Sequence, residues 1–232
     1  MKQTGLKTLV VLTGAGMSQE SGIRTFRDSG GMWEEHNIMD VASPEGWKRN
    51  PEMVLKFYNE RRKQLLECQP NSGHIGLAEL EKKINVNIIT QNVDDLHERA
   101  GSTKVLHLHG ELKKARSTVD PGLIYEIEGW QLNIGDKCKK GSKLRPHIVW
   151  FGEAVPEINN AIQLVQNADI MAIIGTSMQV YPAAGLINWV NKGVPVFLID
   201  PNPSGPYPGV HIIMEKAGKG VEILTKEIER LI

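Results

Sequence analysis

Cysteine is scarce in this 232-residue chain: Cys68 and Cys138 are the only two. Two thiols cannot build a disulfide framework or a four-thiolate zinc site. Charge of one sign is not in surplus either, since Lys+Arg and Asp+Glu number 27 each. No overall field therefore draws the protein to nucleic acid or to an anionic membrane, and any charged ligand must be met by local groups. No apolar run approaches the roughly 18 residues that a membrane span requires. The start carries no apolar leader, which makes a reduced, cytoplasmic location the expectation. Repeats and low-complexity tracts are also lacking.

What is present is a set of short, continuous apolar runs: Thr8–Thr13, Val86–Thr90, Val105–Leu108, Ile170–Gly175, Val194–Ile199 and His211–Met214. Runs without polar alternation belong to strands buried on both faces, as in a parallel sheet covered by helices. Helical stretches alternate with them, near 51–68, 72–83, 94–100, 157–167, 183–192 and 220–231. The pattern predicts an α/β fold, a Rossmann-type doubly wound parallel sheet, with a smaller second lobe formed by two insertions. On this reading residues 1–29, 70–115 and 146–232 make the larger lobe, and 30–69 and 116–145 the smaller. A cleft between them would enclose a ligand at the carboxyl ends of the strands.

The first strand empties into Gly14-Ala15-Gly16-Met17-Ser18, a loop whose backbone can approach a phosphate. The third glycine of a dinucleotide fingerprint is missing, with Gln19 in its place, so the motif is not the ordinary dehydrogenase one; a tight βα turn is the plainer reading. The polar segment that follows, through Phe26 and Arg27, suits a loop folding over a charged ligand with a flat ring. Gln91, Asn92 and Asp94 end another strand. They offer donors and acceptors for an amide-bearing ligand, or caps for the helix that follows. His107 and His109 share one face of a strand that Gly110 closes. This places His109 at a rim, where an imidazole can serve as general base, and leaves His107 as a core histidine. The extended run Pro146 to Glu153 could be an edge to which a peptide adds as a strand. Gly175-Thr176-Ser177 suits a ribose or phosphate. On the helix near 51–68, Arg61 falls in the apolar stripe of Val54, Phe57, Tyr58 and Leu65; it either seeks an anion, with the Tyr58 hydroxyl beside it, or snorkels to solvent.

Taken in order, Gly14-Ala15-Gly16-Met17-Ser18 with Ser21-Gly22-Ile23-Arg24-Thr25-Phe26-Arg27, then Thr90-Gln91-Asn92-Val93-Asp94, Leu108-His109-Gly110, Val149-Trp150-Phe151-Gly152-Glu153 and Gly175-Thr176-Ser177 resemble the motif set of the sirtuins, NAD-dependent protein lysine deacylases. The resemblance runs from about Val10 to Gly220. It implies NAD as co-substrate, with Gly14, Ala15, Gly16, Ser18, Gly22, Ile23, Phe26, Arg27 and Trp33 around the pyrophosphate and nicotinamide ribose. Asn92 and Asp94 would hold the carboxamide, with Val93 between them, and Gln91 the ribose; Gly175, Thr176, Ser177, Asn202 and Ala217 would line the adenosine side. His109 would be the base that deprotonates a ribose hydroxyl, yielding nicotinamide, acyl-ADP-ribose and free lysine. Val149, Phe151, Gly152 and Glu153 would sandwich an acyl-lysine peptide against the Val180 loop. Tyr58-Asn59-Glu60-Arg61 resembles the Tyr-x-x-Arg pair of the desuccinylase and demalonylase class, and Ala42 the small residue that widens its acyl pocket.

The chain departs from many sirtuins in having only Cys138 between 116 and 146, where they carry a four-cysteine zinc ribbon. No structural zinc is expected, the short lobe being held by Leu123, Ile124, Tyr125, Ile127, Trp130 and Leu132. The expected partners are acylated-lysine proteins, with no nucleic acid and no membrane, and the expected state is a monomer. An ADP-ribosyltransferase or a non-catalytic NAD-binding module on the same fold are the alternatives.

Overall fold

The computed structural model describes residues 6–23, 32–33 and 36–231, with Met32 and Trp33 described in their backbone alone. The apolar runs become six parallel strands: β1 (Thr8–Thr13), β4 (Asn85–Thr90), β5 (Val105–His107), β9 (Ile170–Ile174), β10 (Val196–Ile199) and β11 (Val210–Ile213), in the order β11-β10-β9-β1-β4-β5. Both faces of the central strands are covered. One face of the sheet, with Leu9, Val11, Ile88 and Ile174, packs against Leu77, Leu80, Val221, Leu224 and Ile228 of α4 (Ser72–Leu80) and α7 (Ala217–Leu231). The other, with Val10, Leu12, Ile89 and Ile173, packs against Ala161 and Val165 of α6 (Ile158–Gln166) and against Ala183 and Leu186. The order reverses on either side of β1, so the carboxyl ends of β1, β4 and β9 form the crevice where such a sheet binds ligands.

The intervening chain holds a two-residue hairpin, β2 (Met32–Trp33) with β3 (His36–Asn37), and the helices α1 (Ile38–Val41), α2 (Pro44–Arg49) and α3 (Pro51–Glu67). Their starts are written locally: Ser43 Oγ accepts from Gly46 N (2.9 Å), Asn50 Oδ1 from Met53 N (3.0 Å), and Pro44 and Pro51 occupy first-turn positions. Helix α5 (Leu96–Arg99) begins two residues later than the spacing predicts, because the Asp94 side chain caps it from outside. Residues Ala183–Trp189 are helical but of the tighter 3₁₀ kind.

A second sheet, absent from the sequence reading, is antiparallel: β6 (Gly110–Ser117) between β7 (Ile124–Glu126) and β8 (Leu144–Ile148). Its β6 is Gly-Glu-Leu-Lys-Lys-Ala-Arg-Ser, and only Leu112 and Ala115 are its buried apolar positions, too sparse a pattern to read as a strand. Around it Leu55, Ala115, Ile127, Leu132, Cys138 and Leu144 form one cluster, joined by Trp47, Leu123 and Tyr125. Ile124, expected in that packing, alternates to the solvent side and is 45% exposed. Arg62, fully buried, binds this region to α3 by donating to Leu112 O (2.7 Å), Trp130 O (2.5 Å) and Asn59 Oδ1 (2.8 Å). No group of three or more His, Cys, Asp or Glu among the described residues is placed to hold a metal ion.

Candidate active site

Where β1 and β9 end, their loops touch backbone to backbone. Gly14 N–H donates to Ile174 O (3.0 Å) and Gly16 N–H to Gly175 O (2.8 Å). Gly175 has φ +61°, and a Cβ on it would stand 2.5 Å from the Gly16 carbonyl carbon and the Met17 nitrogen, so this crossing admits only glycine. Gln91, just past β4, joins them through its N–H to Thr13 O (2.9 Å) and its side chain to Thr176 Oγ1 (3.1 Å).

Beneath the loops lies a buried polar cluster. Ser18 Oγ donates to Asp94 Oδ2 (2.9 Å) and accepts from Asn92 Nδ2 (3.0 Å), and His74 Nε2 lies 3.5 Å from the same hydroxyl. The other Asp94 oxygen accepts from Leu96 N (3.2 Å), so this side chain caps α5 while facing the cavity. Burial raises the Asp94 carboxyl above the usual range, against the pull of the Ser18 and Leu96 donors. His74 is pushed down to about 4 by burial; His97, edge-on to it at 4.8 Å between ring centres, lies well below its ordinary value for the same reason. Both rings are neutral near pH 7.

His107 is the last residue of β5, whereas His109 lies beyond it in the bend before β6, so the two do not share a strand and Gly110 opens β6 instead of closing β5. His107 is held by the Asn92 carbonyl (3.2 Å) and Glu98 Oε1 (2.7 Å); burial alone would lower it, but Glu98 outweighs burial and the ring titrates high. His109 Nδ1 lies 3.0 Å from the Gln91 carbonyl, a pure acceptor, which assigns the proton to Nδ1 and leaves Nε2 basic. Burial lowers its pKa, with the Gln91 carbonyl opposing.

Opposite, the 149–153 segment is a tied turn rather than a free edge. Val149 N–H donates to His109 O (2.9 Å), Phe151 N–H to Ala42 O (3.0 Å) and Trp150 N–H to Glu153 Oε2 (2.9 Å). Glu153 also receives Arg145 (2.6 and 3.1 Å) and Arg116 (3.0 Å), and these pairs hold its carboxyl below the usual range against burial. Its charge is spent on fastening the turn to β6 and β8.

On α3, Tyr58 and Arg61 are both buried and both face the cavity, a turn apart. The Arg61 guanidinium lies on the Phe57 ring, 3.6 Å from its centre, and donates to Phe57 O (2.8 Å). The arginine therefore turns inward instead of snorkelling.

These elements surround one cavity of about 750 Å³. Its walls take in Gly14, Ala15, Gly16, Ser18 and Ile23; Gln91, Asn92, Val93, Asp94 and His109; Gly175, Thr176, Ser177, Asn202 and Ala217; Ala42, Tyr58 and Arg61; and Val149, Phe151, Gly152, Glu153 and Val180. Gly22, at φ +93°, is not part of the lining. Phe26 and Arg27 lie outside the described residues, and of Trp33 only the backbone, in β2, is described. The lining also includes residues the motifs did not single out, among them Gln64 and Leu112. Gln64 could have been found, since it stands one turn beyond Arg61 on the same stripe.

Comparison with known proteins decides the family. The Sir2 family model matches residues 14–182, well over half of the chain. The chain belongs to the Sir2 family. A Bacteroides thetaiotaomicron Sir2 relative, an NAD-dependent protein deacylase, is 56% identical over 228 residues, covering 95% of this chain and 97% of the relative. One from Helicobacter pylori with the same name is 56% identical over 225 residues, covering 96% and 98%. Among solved structures, a Sir2 homologue in complex with NAD superposes with a TM-score of 0.88 at 39% identity, covering 97% of this chain and 91% of the other. A Sir2 protein with a deacetylated p53 peptide and 3′-O-acetyl ADP-ribose gives 0.81 at 29% identity, covering 96% and 94%. These Sir2 matches extend across both sheets of the chain.

Proposed function

We propose that this Sir2 chain is an NAD-dependent protein-lysine deacylase that removes acetyl groups and, by preference, the acidic succinyl and malonyl groups. The observation that carries the reading is the meeting, in one cavity, of a neutral imidazole with its Nε2 left basic, the Asn92/Asp94 pair, and the Tyr58/Arg61 pair. The donor set fits NAD: glycine backbone for the pyrophosphate, the Thr176 and Ser177 hydroxyls for ribose, and an amide beside a carboxyl for the carboxamide. When bound, NAD supplies the sugar carbon that takes up the acyl oxygen and the nicotinamide that departs.

Each residue of the chain then has a task. Asn92 and Asp94, cross-linked through Ser18, hold the carboxamide in one orientation. Ile23, Val93, Leu112, Ile148 and Trp150 make walls that keep water from competing with an amide oxygen, a poor nucleophile. His109 Nε2 takes the proton from a ribose hydroxyl, which relays to the second hydroxyl for attack on the activated amide carbon. Arg61 and Tyr58 meet the distal carboxylate of a succinyl or malonyl chain, and Ala42 leaves room for it. The products are nicotinamide, O-acyl-ADP-ribose and free lysine, one water entering after nicotinamide has left to release the lysine amine.

Mass spectrometry of one peptide carrying acetyl-, malonyl- or succinyl-lysine, incubated with and without NAD, tests this. The expected result is NAD-dependent loss of the acyl mass, fastest for the acidic groups. A mass gain on the acceptor without acyl loss would mean ADP-ribosyl transfer instead, and no NAD-dependent change would end the proposal.

A further inference from the structure

The indole of Trp150 lies at the floor of this cavity, 2% exposed, with its Nε1 3.0 Å from the Tyr58 hydroxyl. An indole N–H can only donate, so in this pair the phenol oxygen accepts. A phenol carries one proton, and that proton must turn away from an approaching N–H. The contact therefore fixes the direction of the Tyr58 O–H as well as the place of its ring.

Much of the surrounding structure holds that indole still. The Arg145 guanidinium covers its face at 3.3 Å from the ring centre, and Trp47 flanks it at 5.9 Å. Arg145 is itself gripped by Glu153 and donates to Ile148 O (3.0 Å), while Glu153 accepts the backbone N–H of Trp150. The line Glu153, Arg145, Trp150, Tyr58 thus runs from the antiparallel sheet to α3. A mere wall would need none of this polarity, for a phenyl ring fills space without an N–H. Burial pushes the Tyr58 hydroxyl far above its ordinary pKa, so it keeps the proton it has to donate.

We propose that Trp150 is a positioning residue for acyl selectivity: by donating to the Tyr58 hydroxyl it directs that hydroxyl's proton toward the distal carboxylate of an acidic acyl-lysine. The inference rests on the reading of Tyr58 and Arg61 as a carboxylate clamp. It adds that the clamp has a polarity set from behind by a residue 92 positions away in the chain.

The test measures kcat and KM of the full chain for acetyl and succinyl versions of one peptide in Trp150→Phe, Tyr58→Phe and the double variant. Trp150→Phe is expected to lower the succinyl-to-acetyl ratio of kcat/KM about five- to tenfold, through KM, as befits losing the orientation of one hydrogen bond to a charged group. In the Tyr58→Phe background the same change is expected to leave that ratio where Tyr58→Phe has put it. Trp150→Phe lowering both substrates in proportion, or its effect adding in full to that of Tyr58→Phe, would reduce Trp150 to a wall and overturn the proposal. If the phenylalanine variant fails to fold, benzothienylalanine at position 150 keeps both rings, replaces the N–H by sulfur, and is judged by the same two criteria. Failure of the underlying clamp looks different: the unmodified chain would itself treat succinyl and acetyl peptides alike.

Discussion

At Arg61 the guanidinium is placed before any ligand arrives, lying on Phe57 and bonded to its carbonyl. A preset cation loses little freedom when an anion binds, so the contact should express most of its strength. Arg61→Met is expected to lower kcat/KM for a succinyl peptide about ten- to a hundredfold, the value of a desolvated charge-assisted contact, and much less for an acetyl peptide. Equal losses on both would remove the clamp role. His109 yields a prediction in pH. Burial depresses its pKa, and a base works only when neutral, so the rate persists as pH falls through about 6.5 and declines below that. A pH profile of kcat/KM whose acid limb begins clearly above 6.5 would contradict the assignment.

At the level of elements, two crossings carry the site. The first joins the loops after β1 and β9, where Gly175 meets Gly16. Gly175→Ala combines a left-handed backbone with a backbone clash and is expected to cost about 1–3 kcal/mol, read as a lowered midpoint in urea. The second is Arg62, the buried cation of α3 whose pKa burial lowers to about 10 and whose partners are two carbonyls and an amide oxygen. Arg62→Ala strands those acceptors and is expected to cost about 3 kcal/mol or more in the same measurement; a cost under about 1 kcal/mol would mean that packing alone holds the antiparallel sheet to α3. The six parallel strands were legible because each is a short stretch rich in Val, Ile and Leu, broken by little more than a single Asn or His, between turn signals. The antiparallel sheet was not, since β6 sets two lysines and an arginine among only two buried apolar residues, β7 is three residues long and β8 is interrupted by Pro146. Nor could spacing reveal that Ser18 lies between Asn92 and Asp94, or that Trp150 reaches Tyr58, because those meetings are made by the fold and not by the chain's local order.

For the molecule as a whole, the histidines set the response to acid. His74, His97, His109 and His147 all have folded pKa values below the ordinary one, chiefly through burial, whereas His107 alone is raised by Glu98. Below about pH 6.5 the unfolded chain binds protons that the folded chain refuses at four sites, so stability falls as pH drops. His107 works the other way: its contribution is present below about pH 6.5 and is lost as pH rises through its raised value. The raised Asp94 carboxyl works in the same sense as His107, but four lowered groups outnumber these two, and the melting temperature is expected to fall between pH 7 and pH 5; a rise over that range would show the two raised groups dominating.

The backbone bond from Val149 to His109 has a consequence at this scale. On the proposed function, one main-chain bond thus sets the spacing between the segment that would seat the modified lysine and the imidazole that would act on it, so neither can shift without the other.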